Sequence, residues 1–317
     1  MRFCRWLLAA GTLGFTTGCA GSTNTASAAA PSALKGPALE PLFWQHWSDG
    51  LAELSGYDLV QPRYGELRHG RAVAIYVTEP YSRAKRVKVD QYDAQNPDHV
   101  TVLKLNLVKK FQTGVYDYSL MTSVFSVPEE GFVPLEVTFS SQEWCGHVFD
   151  EVHRTADGLT LNVNSYFEGE SQSDRVAAAG VMPEDALFIT LRGLGAGGLA
   201  SVDSDAQLLP SATYRRLAHK PARAFGARLD WADAPSAVEV PAGKIDARRV
   251  SWNRADDVVC SADVEVAYPH RIVQWQCADG EVAKLTGTTR LPYWKTHAEG
   301  DEKLLQGLGL GVPKLAP

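Results

Sequence analysis

The sequence predicts a mainly β protein: one large, curved, mostly antiparallel sheet, open or barrel-like, with an N-terminal helix and one short internal helix. Three observations carry this. Apolar residues recur with a period of two through most of the chain. Only two stretches have helical spacing. The strand candidates far outnumber the helices, so crossovers of a dozen residues each are not there to make a parallel sheet. With 45% hydrophobic and 21% charged residues among 317, the composition is that of a globular protein with a core. A net charge of −6 excludes the basic footprint of general nucleic-acid binding.

The chain begins with an address. Arg2 and Arg5 precede a short apolar run, Leu7 to Phe15, and then Thr16, Thr17, Gly18 and Cys19. This is a signal-peptide pattern, too short to span a bilayer. It resembles the bacterial lipoprotein signal, in which the cysteine after a small residue is acylated and becomes the first residue. That resemblance implies cleavage after residue 18 and lipidation at Cys19. An ordinary secretory signal cut nearby is the alternative. Residues 19–40 are mostly Ala, Ser, Thr, Gly and Pro and read as a flexible tether. Ala20 after the cysteine resembles the outer-membrane sorting signal of Gram-negative lipoproteins. The expected location is the cell envelope, on the periplasmic or outer side of the outer membrane. Residues 41–317 form one β-rich domain.

Within that domain, residues 41–56 place Leu42, Phe43, Trp47, Leu51 and Leu54 at helical spacing, closed by Gly56. Residues 183–192 open with Pro183, Glu184 and Asp185, end with Arg192, and run into glycines, the marks of a short helix. Elsewhere the period is two: Ala72, Ala74, Tyr76; Leu103, Leu105, Leu107; Tyr116, Tyr118, Leu120; Leu135, Val137, Phe139; Leu159, Leu161, Val163 after Asp157-Gly158. Later strands are expected over 207–217, 222–231, 245–253, 257–266, 271–276 and 281–290. About ten to twelve strands result.

Five cysteines are present, with no C-x-x-C pair. Cys260 and Cys277 flank a turn, Ala267 to His270. Folding that hairpin about its midpoint sets them opposite each other. Directly opposed residues lie about 4.5–5.5 Å apart at Cα, within the disulfide range. In an oxidising envelope the bridge would contribute roughly 3 kcal/mol.

Gly193 to Gly198 contains no G-x-G-x-x-G or P-loop, and no G-x-S-x-G or H-E-x-x-H occurs. No cofactor and no metal site is assigned. His147 and His153 are six apart on a strand, about 20 Å, too far for one ion. The densest chemical cluster is Glu143, Cys145 and His147, alternate residues of one strand. A thiol nucleophile with an imidazole base oriented by a carboxylate is one reading. A small buried thiol beside a hydrogen-bonded core histidine is the plainer one. Two basic clusters, Arg83 to Lys88 with Lys104, Lys109 and Lys110, and Arg215 to Arg223, read as solvated sheet faces or as surfaces for anionic lipid or glycan.

The runs Tyr64-Gly-Glu-Leu-Arg-His-Gly, Val77-Thr-Glu-Pro-Tyr, Lys104-Leu-Asn, Lys109-Lys-Phe-Gln-Thr-Gly-Val-Tyr, Gln142-Glu-Trp-Cys-Gly-His, Ser165-Tyr-Phe-Glu-Gly-Glu and Pro292-Tyr-Trp resemble an uncharacterised family of bacterial secreted proteins and lipoproteins. The likeness spans about residues 43–296. Members are sometimes labelled septum formation inhibitor Maf. That label implies a cytoplasmic α/β nucleotide pyrophosphatase, chemistry for which this exported, β-rich chain has no motif. A second likeness, of architecture and compartment alone, is to LolA/LolB-like lipoprotein carriers. Three functions follow as expectations. The first is a membrane-anchored lipoprotein binding a lipid, acylated or other hydrophobic ligand in its curved sheet. The second is a structural or assembly protein of the envelope with a protein partner. The third, less favoured, is an enzyme using Cys145, His147 and Glu143.

Overall fold

Residues 39–178, 180–192 and 205–311 are described by a computed structural model and lie in one compact unit. The signal segment, Cys19, the tether up to residue 38 and the run Gly193 to Gly198 lie outside the described residues.

A short helix α1 (Phe43–Trp47) leads into a long meander. Its strands are β1 (Ala52–Arg63), β2 (Glu66–Ser82), the short β3 (Val87–Lys88), β4 (His99–Thr113), β5 (Tyr116–Val127), β6 (Val133–Glu143), β7 (Gly146–Thr155), β8 (Gly158–Ser165) and β9 (Gln172–Ala178). A central stretch follows: β10 (Val181–Pro183), α2 (Leu187–Thr190), β11 (Asp205–Leu209), α3 (Ala212–Ala218) and β12 (Phe225–Arg228). The chain returns through β13 (Asp230–Trp231), β14 (Ser236–Val240), β15 (Gly243–Arg254), β16 (Val258–Glu265), β17 (Ile272–Cys277) and β18 (Val282–Leu291).

The large sheet runs β13-β15-β16-β17-β18-β1-β2-β4-β5-β6-β7-β8-β9, with β14 on β15 and β3 on β2. It is antiparallel throughout, and it is not closed, because β9 and the β13–β14 edge do not pair. The first strand pairs with the last in mid-sheet, Ala52 opposite Leu291 and Val60 opposite Val282. Among the described residues the one parallel pair is β10 with β11, in a small separate sheet β10-β11-β12. Among the described residues no helix is long and apolar enough to cross a membrane.

Curvature brings the inner faces of the two meanders together, and the chain fills the space with its own central stretch. Leu105, Val124, Val137, Val152 and Leu161 from successive strands share one cluster with Ala186, Leu187, Ile189 and Leu191 of the inner segment, and with Trp252, Ala262, Trp275 and Leu285 opposite. The inner segment is locked by an ion pair. Arg192, fully buried, places Nη1 2.9 Å from Oε1 of buried Glu53 on β1. It also donates to the Pro269 carbonyl and lies over the rings of Tyr76 and Trp47. Burial alone would raise the Glu53 carboxyl. The Arg192 charge and its hydrogen bonds, with His46 Nε2 3.4 Å from Oε2, outweigh it and hold Glu53 below its ordinary value.

Several expectations are corrected. The helix over 41–56 shrinks to five residues, and Ala52 already belongs to β1. Both faces of β1 are buried at its start, so its apolar residues lose the period of two and imitate a helix. The outer face there is covered by the C-terminal 3-10 turn Asp301–Leu308, which approaches so closely that a Cβ on Gly56 would lie 2.3 Å from the Leu308 carbonyl. The helix over 183–192 becomes the end of β10, a 3-10 turn Glu184–Ala186 and a four-residue α2. The strand over 207–217 stops at Leu209. Ser211 then accepts a hydrogen bond from the Tyr214 amide and starts α3, an N-cap signal the alternation concealed. Among the described residues eighteen strands replace ten to twelve, because several are pieces of two to five residues. The cysteine hairpin pairs Cys260 with Cys277, and a disulfide joins them.

Breaking a buried pair from one side leaves an uncompensated charge, while replacing both partners with apolar residues does not. Arg192→Met is therefore expected to lower unfolding free energy by about 3–5 kcal/mol in urea titrations. The double substitution Arg192→Met with Glu53→Leu should lose less than the single one. An equal or larger loss in the double variant would show that the pair does not act as the lock.

Candidate functional site

The hairpin turns β1–β2, β4–β5, β6–β7 and β8–β9 all fall at one end of the sheet, and each carries an exposed aromatic or aliphatic residue. Trp144 is 71%, Tyr166 75%, Val115 80% and Tyr64 55% exposed. Tyr64 and Trp144 are joined through Tyr116. The Tyr64 and Tyr116 hydroxyls lie 3.2 Å apart, and the Tyr116 and Trp144 rings are 6.2 Å apart. Tyr166 packs over Gly146 where no Cβ could fit, 2.5 Å from the nearest ring carbon. Four of the seven sequence runs singled out above thus fold to the same place.

Beneath the strip, α3 seals the end of the sheet interior. Arg63 donates to the Tyr118 hydroxyl at 3.1 Å and to the Leu217 carbonyl at 2.7 Å. Buried Arg216 pairs with Glu143 and stacks 3.9 Å from the centre of the Phe167 ring. Arg215 pairs with Asp150 at 2.7 Å. On the plug side of α3, the backbone amides of Ser211 and Ala212 donate to Glu184 and Asp185, each at 3.0 Å. Lys109, Arg215 and Arg216 belong to the basic clusters whose sequence pattern suggests solvated sheet faces or surfaces for anionic lipid or glycan. All three are instead buried in ion pairs, because long basic side chains on inward positions meet inward carboxylates.

The sequence cluster around residue 145 does not assemble as a catalytic triad. Trp144 and Cys145 form the two-residue turn between β6 and β7, so the strand expected through them is interrupted. Glu143 points inward to Arg216, whereas His147 lies opposite Gln142 on the outward face. Gln142 and Glu143 are adjacent on β6, so the hairpin register puts Glu143 and His147 on opposite sides of the sheet. The plainer reading is corrected as well: Cys145 and His147 are exposed, not core residues.

Inside the sheet is a cavity of about 70 Å³, bounded by Leu105, Leu107, Phe188, Trp252 and Trp275 and by the polar groups Lys109, Glu184, Asp185 and Glu281. It is about half the ~150 Å³ that admits a benzene ring. Its polar groups are largely engaged. Lys109 and the Trp275 indole both donate to Glu281, at 2.5 and 2.7 Å, and the Trp252 indole donates to Glu184 at 3.1 Å. Burial pushes Asp185 up to about 7, against the pull of Arg215 and the Ala212 amide. The one metal-competent group found among the described residues is elsewhere, on the outer face of β6 and β7.

No family model matches the chain, and no curated protein matches it. A solved structure with a similar trace is the β-barrel-like protein of a domain of unknown function, DUF1849, from Brucella abortus. The TM-score is 0.46 at 11% identity, covering 75% of this chain and 97% of that one.

A carboxyl raised in the folded state binds its proton more tightly there than in the unfolded chain, so stability falls as pH rises from the unfolded to the folded value. For Asp185 that window runs from about 4 to about 7. Asp185→Asn should abolish this fall, gaining on the parent protein by on the order of a few kcal/mol at pH 8. Parallel unfolding curves for the two proteins from pH 4 to 8 would refute it. A second measurement concerns the turn: in native, signal-cleaved Cys19→Ser protein, a maleimide should label a single thiol rapidly. Cys145→Ala should remove that label.

Proposed function

We propose that the chain is a non-enzymatic lipoprotein of structural type in the cell envelope, held to the outer membrane through an acylated Cys19, and that its filled sheet rests on the lipid headgroup region through the aromatic hairpin end. The observation carrying this reading is the exposed strip of Tyr64, Val115, Trp144 and Tyr166. Trp and Tyr, with an apolar body and a polar edge, favour the water–lipid boundary. A contiguous exposed apolar patch marks an interaction surface. The anchor supplies the surface: two acyl chains hold a protein stably where one does so only marginally. The tether of residues 19–40, at up to ~3.5 Å per residue, reaches roughly 70 Å. Any face of the domain can therefore meet the bilayer, and surface chemistry selects which. The assignment sits with the resemblance to secreted proteins and lipoproteins set out above.

The second reading, a hydrophobic ligand inside the curved sheet, is favoured by the Trp and Leu walls of the inner cavity. An acyl chain fits there only if the segment from Val181 to Arg192 leaves, against the Arg192–Glu53 pair.

The test uses the soluble Cys19→Ser protein and vesicles of phosphatidylethanolamine and phosphatidylglycerol. Wild-type protein should partition into the detergent phase on phase separation and Cys19→Ser into the aqueous phase. Cys19→Ser should still co-sediment with vesicles. Trp144→Ala with Tyr166→Ala should weaken that co-sedimentation about tenfold at unchanged melting temperature, since both side chains are exposed. Equal sedimentation of the variant, or none by the parent, would sink the reading. A lipid adduct on the soluble protein in native mass spectrometry would favour the second one.

A further inference from the structure

On the outer face of the sheet, β6 and β7 bring together Glu136, Glu151 and His153. The register sets Glu136 directly opposite His153, and Glu151 is two residues from His153, hence on the same face. One oxygen or nitrogen from each lies within 4.8 Å of the others. His153 Nδ1 is 3.8 Å from Glu136 Oε1, and Nε2 is 3.8 Å from Glu151 Oε2. The His153 side chain is 4% exposed and Glu136 7%, while Glu151 is 32% exposed and opens to solvent.

The arrangement is poorly explained as an ion-pair network. His153 Nδ1 is buried with no hydrogen-bond partner, although it faces a carboxylate. Both carboxylates stand 3.8 Å from the ring, beyond hydrogen-bond reach, one on each side. An unpaired ring nitrogen beside two convergent carboxyl groups is the donor set of a cation site.

We propose that Glu136, Glu151 and His153 bind one divalent transition-metal ion of the zinc class. Donors about 2.0–2.2 Å from a tetrahedral ion lie about 3.3–3.6 Å from each other. The two 3.8 Å contacts use opposite nitrogens of the His153 ring, and one ion takes only one of them. The single-atom donor set lies within 4.8 Å, so a contraction of up to about 1.5 Å closes it. A neutral imidazole with two carboxylates suits zinc, manganese or ferrous iron better than magnesium or calcium, which prefer oxygen alone. Tyr81, whose hydroxyl donates to Glu136 Oε2, acts as the positioning residue behind that ligand. Three protein ligands leave a fourth position for water on the Glu151 side. The sequence hid the site because only the strand register pairs position 136 with 153.

The experiment is equilibrium dialysis of chelator-treated, soluble Cys19→Ser protein against zinc chloride, with metal content measured, and thermal melting with and without zinc. One equivalent should bind and raise the melting temperature. His153→Ala and Glu151→Gln should each weaken binding about a hundredfold and remove the shift, and Tyr81→Phe should weaken it about tenfold. His147→Ala, an exposed histidine on the same strand, should bind like the parent. Glu151 is partly exposed, so its variant guards against loss of folding in the His153 variant. Absence of a bound equivalent, or equal binding by His153→Ala and Glu151→Gln, would overturn the proposal.

Discussion

An open antiparallel sheet has an inner face that must be covered, and here the cover is a single buried ion pair's responsibility. Arg192 ends the segment that lies inside the sheet, and Glu53 opens the strand at the sheet's centre. Their contact fixes the depth of the inner segment, which in turn sets Leu187 and Ile189 among the strands and presents Glu184 and Asp185 to the start of α3. α3 then closes the end under the aromatic turns. Remove the pair, and each later placement loses its reference. The charge is tolerable because the guanidinium meets a carboxylate, a carbonyl and two aromatic faces at once.

The same logic repeats through the interior. Lys109 with Glu281, Arg215 with Asp150 and Arg216 with Glu143 are inward side chains at positions where an all-apolar core would carry Leu or Val. These pairs join elements far apart in sequence and allow little sliding, because a one-residue slip would turn each charge to the wrong face. Apolar burial supplies the driving force, and the charged contacts select one arrangement from the many that so large a sheet could take.

Much of the fold was legible. Alternation located the long strands, and reflection about one turn gave the Cys260–Cys277 pairing that the ladder adopts. Errors arose where burial, not backbone state, sets the pattern. Ala52 to Gly56 is covered on both faces, and Leu208 and Leu209 of β11 run directly into the Ser211 cap of α3. The candidate site was less legible. Trp144 and Cys145 drew attention as chemistry because they are dense in functional groups, yet their role in the fold is a turn. The strip of Tyr64, Val115, Trp144 and Tyr166 spans a hundred positions and exists only once the hairpins are stacked in register. Buried Lys109, Arg215 and Arg216 could not be told from surface cations, since their partners lie on other strands.

The pairing of β1 with β18 sets an order of events. Ser55 and Thr288 bond through their hydroxyls across 233 residues of sequence, whereas the strands from β1 to β9 pair within one contiguous stretch of chain. A chain emerging N-terminus first during synthesis can form that first meander while the rest is still to come. The central seam must wait until nearly the last strand has been made. Until then β1 has an unpaired edge, and the apolar inner face lies bare. Exposure of this kind invites pairing with other chains, so the interval between the two halves is when this protein most needs an escort.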